Sequence, residues 1–138
     1  MPKFSEQSRK LLNQCHPDII IVCNELIKYV DFKVLPSTIR TLEEQKKFVA
    51  EGKSKTMDSK HLIGEKRDRS DAIDITFYPV DFTKEKRKFY LAGYFFGIAR
   101  MLKAFGIIKS EFRWGGDWNR NNNFEDQTFN DYEHFERV

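Results

Sequence analysis

The stretch SKHLIGEKRDRSDAIDITFY, residues 59–78, combines a polar loop with a strand and decides the fold around it. In its last part, residues 72–78, apolar and polar side chains alternate and several are β-branched, which predicts a β-strand. The residues before it are polar and charged and predict a loop. The stretch carries one histidine and three aspartates: His61, Asp68, Asp71 and Asp74. A histidine followed by an aspartate at such a separation is a common beginning of a metal site.

The segments on both sides predict a mixture of helices and strands. Thr41 and Glu44 have the spacing of a capping box, which marks the start of a helix that Gly52 ends. Helices are predicted over residues 5–14, 17–30, 41–52 and 83–106. Strands are predicted over residues 31–35, 72–78, 111–118 and 131–138. Because these elements do not follow a regular βαβ alternation, the sequence predicts an α+β fold.

Length and composition predict one domain over residues 1–138. Hydrophobic residues make up 40 % of the chain, and thirteen phenylalanines supply ample material for a core. The formal net charge of +3 is a mild bias that favours approach to an anionic polymer but does not identify the polymer. A basic run near residue 86 is the main support for a nucleic-acid-binding module, and such a run is usually a solvated helix face.

The number of cysteines and the N-terminal sequence indicate the cellular compartment in which the protein is made. Cys15 and Cys23 are too few for a disulfide framework, so free thiols made in a reducing compartment are expected. The first residues lack the apolar run and cleavage site of a signal peptide. No apolar run reaches the roughly 18 residues that a membrane span needs. We therefore expect synthesis in the bacterial cytoplasm and no stable membrane insertion.

Three histidines narrow the search for a metal site: His16, His61 and His134. His16 precedes a proline at a helix start and is expected to be a capping or surface residue. A catalytic zinc site needs three protein ligands and one open position for water, and two imidazoles with one carboxylate suit it. A further carboxylate must take a proton from that water and pass it to the leaving amine. Asp131 stands three residues before His134 and is a candidate for this role.

These residues resemble the LAS-type zinc peptidases, which include D-Ala-D-Ala carboxypeptidases and phage endolysins that cut the L-alanyl-D-glutamate bond of peptidoglycan. The resemblance rests on four motifs in order, from about residue 39 to the C-terminus. They are TIRTLEEQ with Arg40 and Gln45, then Ser59-Lys60-His61 with Ala72-Ile73-Asp74, then WGGDW at 114–118, then Asp131-Tyr132-Glu133-His134.

The resemblance implies a fold, a cofactor and a set of residue roles. The fold would be a small antiparallel sheet with flanking helices. One Zn²⁺ would be held by His61, Asp74 and His134, with Asp131 as the general base. Arg40 would stabilise the oxyanion or grip a substrate carboxylate. Possible supporting or substrate-contacting residues are Ser59, Gln45, Trp114, Asp117 and Trp118, and the two tryptophans are as readily interpreted as packing residues.

The aspartate ligand is ambiguous in the sequence. Asp68 stands seven residues after His61, the usual spacing in the family, whereas Asp74 stands thirteen after it. Asp74, however, lies inside the predicted strand, and a ligand should sit on a rigid, partly buried element. We therefore interpret residues 65–70 as a loop insertion and expect Asp74 to be the ligand. Asp71 would face the other side of a strand.

The base is ambiguous as well, because Glu133 also precedes His134. In a strict strand, Asp131 and His134 would lie on opposite faces, so a base at Asp131 requires the chain to bend there. The cations of the inserted loop, Lys66, Arg67 and Arg69, are expected to place positive charge near the metal.

The resemblance therefore implies a zinc metallopeptidase that hydrolyses peptidoglycan stem peptides, and the favoured activity is that of a phage endolysin for the L-alanyl-D-glutamate bond. The alternative activity is that of a D-Ala-D-Ala carboxypeptidase. A non-catalytic wall-binding or nucleic-acid-binding module is a distant alternative, since it would not need both ligands and base. The expected partner is the stem peptide, with no nucleic acid, and the protein is expected to be a monomer that acts in the periplasm or cell wall after release.

Overall fold

One antiparallel sheet forms the centre of the molecule. In the computed structural model, which describes residues 2–64 and 66–138, its strands are Phe32–Val34 (β1), Ala72–Phe77 (β2), Phe112–Gly115 (β3) and Asp131–Arg137 (β4). They lie in the order β1-β2-β4-β3. The helices are Glu6–Leu12 (α1), Pro17–Leu26 (α2), Leu42–Ala50 (α3) and Glu85–Ala104 (α4), with a 3₁₀ turn at Pro36–Thr38. This is the α+β architecture that the sequence predicts.

The two faces of β2 have different chemistry. Ile73 and Ile75 are fully buried and belong to the hydrophobic core, together with Phe135 of β4 and Phe95 of α4. The helices α2 and α4 pack against each other and α4 covers this face of the sheet. Because side chains alternate along a strand, Asp74 projects from the opposite face, which α4 does not cover.

The 3₁₀ turn and the residue before it are hydrogen-bonded to β2, and the chain then continues into α3. The backbone N–H of Leu35 donates to the carbonyl of Asp74 at 2.8 Å, and the N–H of Asp74 donates to Thr38 Oγ1 at 3.0 Å. The helix α3 then begins with the predicted capping box, in which Thr41 Oγ1 accepts from the N–H of Glu44 and the Glu44 carboxylate accepts from the N–H of Thr41.

An irregularity between β3 and β4 bends the chain at Asp131. The strand register shifts between Trp114 and Gly115, so that Trp114 pairs with Phe135 while Gly115 pairs with Asp131. A Cβ atom at Gly115 would overlap the carbonyl group of Asp131, so only glycine permits this close approach. The bend brings Asp131 to the same cavity as His134, which a strictly alternating strand would not do.

The predicted elements agree with the structure in type and differ in length. The second helix ends at Leu26 rather than near residue 30, and β3 ends at Gly115, where the glycine pair turns the chain. Among the described residues, no helix has both the length and the apolar character needed to cross a membrane.

Candidate metal centre

Two strands and one loop bring three ligand-type side chains together. Asp74 of β2 and His134 of β4 are direct partners in the antiparallel register, so their side chains lie side by side on one face. His61 approaches from the loop before β2. His61 Nε2 lies 3.0 Å from His134 Nδ1 and 3.2 Å from Asp74 Oδ1, and His134 Nδ1 lies 3.3 Å from Asp74 Oδ1. All three side chains are buried.

This donor set fits a zinc ion. A tetrahedral ion with ligand distances of about 2.0–2.1 Å has its donors about 3.3 Å apart, close to the three distances observed. Asp74 Oδ1 is buried and makes no hydrogen bond, although it lies beside two imidazoles. Among the described residues, these three side chains form the group of potential ligands close enough to share one ion. The cluster therefore has the composition and spacing of a metal centre.

His61 is oriented by backbone contacts. Its Nδ1 lies 2.9 Å from the carbonyl oxygen of Thr38, so Nδ1 carries the proton and Nε2 presents its lone pair to the cluster. The backbone N–H of His61 donates to Ser59 Oγ at 3.2 Å. Burial lowers the pKa of His61, which favours the neutral form that a metal ligand requires.

His134 is oriented by a carboxylate. Its Nε2 lies 2.7 Å from Glu136 Oε1 and donates to it, so Nδ1 faces His61 and Asp74. Burial would lower the pKa of His134, but the adjoining carboxylates of Asp74 and Glu136 raise it to about 9. His134 Nδ1 lies 3.0 Å from His61 Nε2 and 3.3 Å from Asp74 Oδ1, so this nitrogen faces both of the other donor atoms.

The second oxygen of Asp74 is fully engaged. Asp74 Oδ2 accepts from Ser37 Oγ at 2.6 Å and from Arg40 Nη2 at 3.2 Å. Burial would raise the pKa of Asp74, but the two histidines hold it well below its usual range. These contacts leave Oδ1 directed at the histidines as an anionic donor.

Arg40 is held rigidly at the edge of the cluster. Its Nε donates to the carbonyl of Ser37 at 2.7 Å and its Nη1 donates to Gln45 Oε1 at 2.9 Å. Its guanidinium lies 4.5 Å from the ring centroid of Phe48. Gln45 is fully buried and donates in turn to Ser54 Oγ and to the carbonyl of Thr56. Gln45 therefore links Arg40 to the loop that borders the cleft.

The two candidate bases have different surroundings. Asp131 lines the same cavity as His61 and His134, and burial together with the nearby charge of Asp74 raises its pKa to about 7. Glu133 instead forms an ion pair with Lys88 of α4 at 3.0 Å. The structure therefore places Asp131 in the cavity that His61 and His134 line, and it pairs Glu133 with the helix α4.

The alternative aspartates do not reach the cluster. Asp68 is exposed in the loop, and Asp71 forms ion pairs with Arg67 and Arg137 at 3.3 and 2.7 Å. Glu65, the first residue of the proposed insertion, lies outside the described residues. The three cations of this loop do not line the cavity that His61 and His134 line, so the expectation of positive charge close to the cluster was wrong. Lys66 pairs with Asp58, and the Arg67 and Arg69 guanidinium groups donate to backbone carbonyls.

A cavity of about 440 Å³ opens above the cluster. Trp118 lies in its wall, with its ring centroid 5.3 Å from that of His134. Trp114 and Asp117 do not line this cavity. Trp114 is buried against Phe135, and both oxygens of Asp117 accept backbone N–H groups of the following loop. A larger groove of about 800 Å³ lies between α4 and β3 but contains none of the three donors, so the smaller cavity is the candidate active-site cleft.

Several residues at the site have no counterpart in the sequence-based prediction. Ser37 and Thr38 orient Asp74 and His61, and Glu136 orients His134. The cations that line the cleft are Lys53, Lys55, Lys60 and Arg113, besides Arg40. A usable signal exists for Glu136 alone, since it stands two residues after His134 and so shares its face of the strand.

Comparisons with known proteins bear on the family and the fold of the chain. A family model described as phage L-alanyl-D-glutamate peptidase matches residues 1–138. The fold is similar to that of the Serratia marcescens L-Ala D-Glu endopeptidase ChiX, with a TM-score of 0.69. That similarity covers 98 % of this chain and 89 % of the other, at 24 % sequence identity. No curated protein matches the chain.

The raised pKa of His134 predicts how the metal-free protein responds to pH. Its folded-state pKa of about 9 lies above the unfolded value of about 6.5, so the bound proton stabilises the folded state. This contribution is complete below about pH 6.5 and is lost as the pH rises through about 9. We expect the free energy of unfolding, measured by urea titration in EDTA, to fall over this window. The fall should be smaller in His134→Gln, and parallel profiles for the two proteins would contradict the assignment.

Proposed function

The chain belongs to the phage L-alanyl-D-glutamate peptidase family, and we propose that His61, Asp74 and His134 hold the zinc ion with which it cuts that bond in peptidoglycan. Membership of this family makes the protein a peptidoglycan hydrolase and places it with the endopeptidases rather than with the D-Ala-D-Ala carboxypeptidases. The observation that carries the zinc proposal is the convergence of three buried donor atoms at 3.0–3.3 Å on one another.

Zinc is favoured over other metals by the donor set. Two imidazole nitrogens and one carboxylate oxygen are typical ligands of catalytic zinc, whereas calcium and magnesium prefer oxygen donors throughout. When bound there, a zinc ion would supply Lewis-acid activation of water and of the scissile carbonyl. The protein supplies the remaining requirements through residues that hold the substrate and move its protons.

Asp131 is proposed as the general base. It lies in the cleft beside His134, and burial brings its pKa to about 7, within the range where a carboxylate accepts and returns a proton efficiently near neutral pH. Its carboxylate would take a proton from the attacking water and deliver it to the nitrogen of D-glutamate as the peptide bond breaks. The bend at Gly115 supports this role because it brings Asp131 to the face that carries the ligands.

Arg40 is proposed to stabilise negative charge on the substrate. Its guanidinium is fixed by Ser37, Gln45 and Phe48, so little reorganisation is needed when charge develops on the scissile carbonyl oxygen. Gln45 and Ser59 are proposed as supports. Gln45 accepts from Arg40 Nη1, and Ser59, which lines the cavity, accepts from the backbone N–H of His61. Trp118 forms an apolar wall against which a short side chain such as that of alanine can pack.

The cleft has the charge expected for an anionic peptide. D-Glutamate in the stem peptide carries a free carboxylate next to the bond that is cut. Lys53, Lys55, Lys60 and Arg113 line the cavity, and the Lys55 ammonium lies 5.5 Å from the ring centroid of Phe129. We propose that this positive rim holds the substrate carboxylate.

The family also supports a proposal about location and assembly. A phage endolysin is made in the host cytoplasm and acts in the periplasm or cell wall after release. Cys15 and Cys23 are buried free thiols, which fits synthesis in a reducing compartment. We propose that residues 1–138 act as one peptidase domain and as a monomer, without a nucleic-acid partner.

Removal of any ligand is expected to abolish metal binding. His61→Ala, Asp74→Ala and His134→Ala each remove one of three donors, so each variant should lose zinc on dialysis and lose activity. Asp68→Ala is the matched control, because Asp68 is exposed and lies away from the cluster. The measurement is zinc per chain by elemental analysis. Zinc retained in Asp74→Ala and lost in Asp68→Ala would refute the proposed ligand set.

Removal of the base is expected to spare the metal but not the rate. Asp131→Asn should keep zinc and lose roughly 10²–10⁴-fold in rate, the usual range for general acid–base catalysis. Glu133→Gln is the control and should stay within a few-fold of the parent. The rate is measured by mass spectrometry as new D-glutamate N-termini released from purified peptidoglycan. An active Asp131→Asn beside an inactive Glu133→Gln would reassign the base, and release of free D-alanine alone would refute the bond assignment.

A further inference from the structure

A buried carboxylate that the proposed reaction does not use lies beside His134 and lines the same cavity. Glu136 of β4 is 6 % exposed. It follows His134 by two residues, so the two side chains project from the same face of the strand. Its two oxygens have separate partners. Oε1 accepts from His134 Nε2 at 2.7 Å, and Oε2 accepts from Arg113 Nη2 at 2.6 Å.

The same carboxylate connects the two segments that carry the histidines. Glu136 Oε2 lies 3.3 Å from Nζ of Lys60, the residue that immediately precedes His61. Lys60 Nζ also donates to the backbone carbonyl of Arg137, next to Glu136 in the strand. The loop bearing His61 is therefore joined to the strand bearing His134 through Lys60 and Glu136. Arg113 of β3 is the register partner of Glu136 and completes the group.

The orientation of His134 depends on an acceptor at its Nε2. A neutral imidazole carries its proton on either nitrogen, and only the unprotonated nitrogen can bind a metal. Glu136 fixes the proton on Nε2 and leaves the lone pair on Nδ1, the atom that faces His61 Nε2 and Asp74 Oδ1. An anionic acceptor also makes the imidazole a stronger donor to a metal.

The charge of Glu136 has a second consequence. Arg113 and Lys60 both approach within 3.3 Å of its carboxylate, and both line the cleft. Without Glu136, these two cations would remain beside a site that must accept a divalent cation. Like-charge repulsion would then weaken metal binding in addition to the loss of the orienting hydrogen bond.

From this geometry we propose that Glu136 is a positioning residue, which fixes His134 as an Nδ1 donor and holds the His61 loop against β4 through Lys60. The inference rests on the proposed metal site and adds a residue to it. Glu136 does not contact the substrate bond; it acts through His134.

The test uses two substitutions of different severity on the full chain. Glu136→Ala removes both the acceptor and the charge, and we expect its dissociation constant for Zn²⁺ to rise by about 10–100-fold. Glu136→Gln keeps an acceptor oxygen and the side-chain shape, and about a tenfold rise is expected from the lost charge. Glu133→Gln is the matched control, a carboxylate of the same strand that pairs with Lys88 on the other face. Zinc affinity is measured by competition with a chromophoric chelator, with circular dichroism to confirm that each metal-free variant is folded.

A second readout separates positioning from general stability. Long-range ¹H–¹⁵N NMR spectra of the zinc-loaded proteins report which imidazole nitrogen carries the proton. The parent and Glu133→Gln should show His134 protonated at Nε2, whereas Glu136→Ala should show a mixture of tautomers or a ring bound through the other nitrogen.

The outcomes distinguish this inference from the proposed function. A parent protein that binds zinc, with both Glu136 variants within twofold of its affinity and with an unchanged His134 tautomer, would overturn the role of Glu136 and leave the metal site standing. If Glu136→Ala does not fold, the affinity of Glu136→Gln decides, and no loss there overturns the inference. A parent that binds no zinc would overturn the proposed metal site itself.

Discussion

The direct pairing of Asp74 with His134 across β2 and β4 is the constraint on which the rest of the site depends. Antiparallel partners on one face have side chains only a few ångströms apart, so the register alone brings a carboxylate and an imidazole together. A slip of one residue would move Asp74 into the hydrophobic core and Ile73 or Ile75 into the cleft. The buried isoleucines on the opposite face therefore protect the register on which the chemistry relies.

A buried carboxylate beside two imidazoles is costly unless its partners are fixed. Ser37, Thr38 and Arg40 surround Asp74, and Glu136 does the same for His134, so each group has a defined orientation before any ion binds. The remaining exception is Asp74 Oδ1, which is buried without a hydrogen bond. Such an atom is a liability in a purely structural cluster and a requirement in a metal site, because it must be free to become a ligand. The arrangement is thus preorganised for a cation.

Local sequence patterns predicted the elements and favoured Asp74, which lies in the cluster, over Asp68, whereas the supporting contacts required the fold. Asp74 could be preferred to Asp68 because a strand pattern surrounds it, and the capping box of α3 is visible from Thr41 and Glu44 alone. The contacts of Ser37 with Asp74 and of Thr38 with His61 could not be predicted, since they join residues that are distant in sequence. For Glu136 the sequence indicates only that it shares a strand face with His134. Trp114 and Asp117 show the converse. Their motif resembles the family, but the Trp114 side chain packs in the core, and the Asp117 carboxylate accepts backbone N–H groups of the following loop.

The central claim is that one metal ion sits among His61, Asp74 and His134, and anomalous diffraction tests it most directly. Crystals of the zinc-loaded protein would be measured at X-ray energies just above and just below the zinc absorption edge. We expect a single anomalous peak bonded to His61 Nε2, Asp74 Oδ1 and His134 Nδ1, on the side of the cluster that faces the cleft and Asp131. A peak bonded to Asp68, or the absence of a peak at the cluster in a zinc-loaded and active sample, would contradict this account.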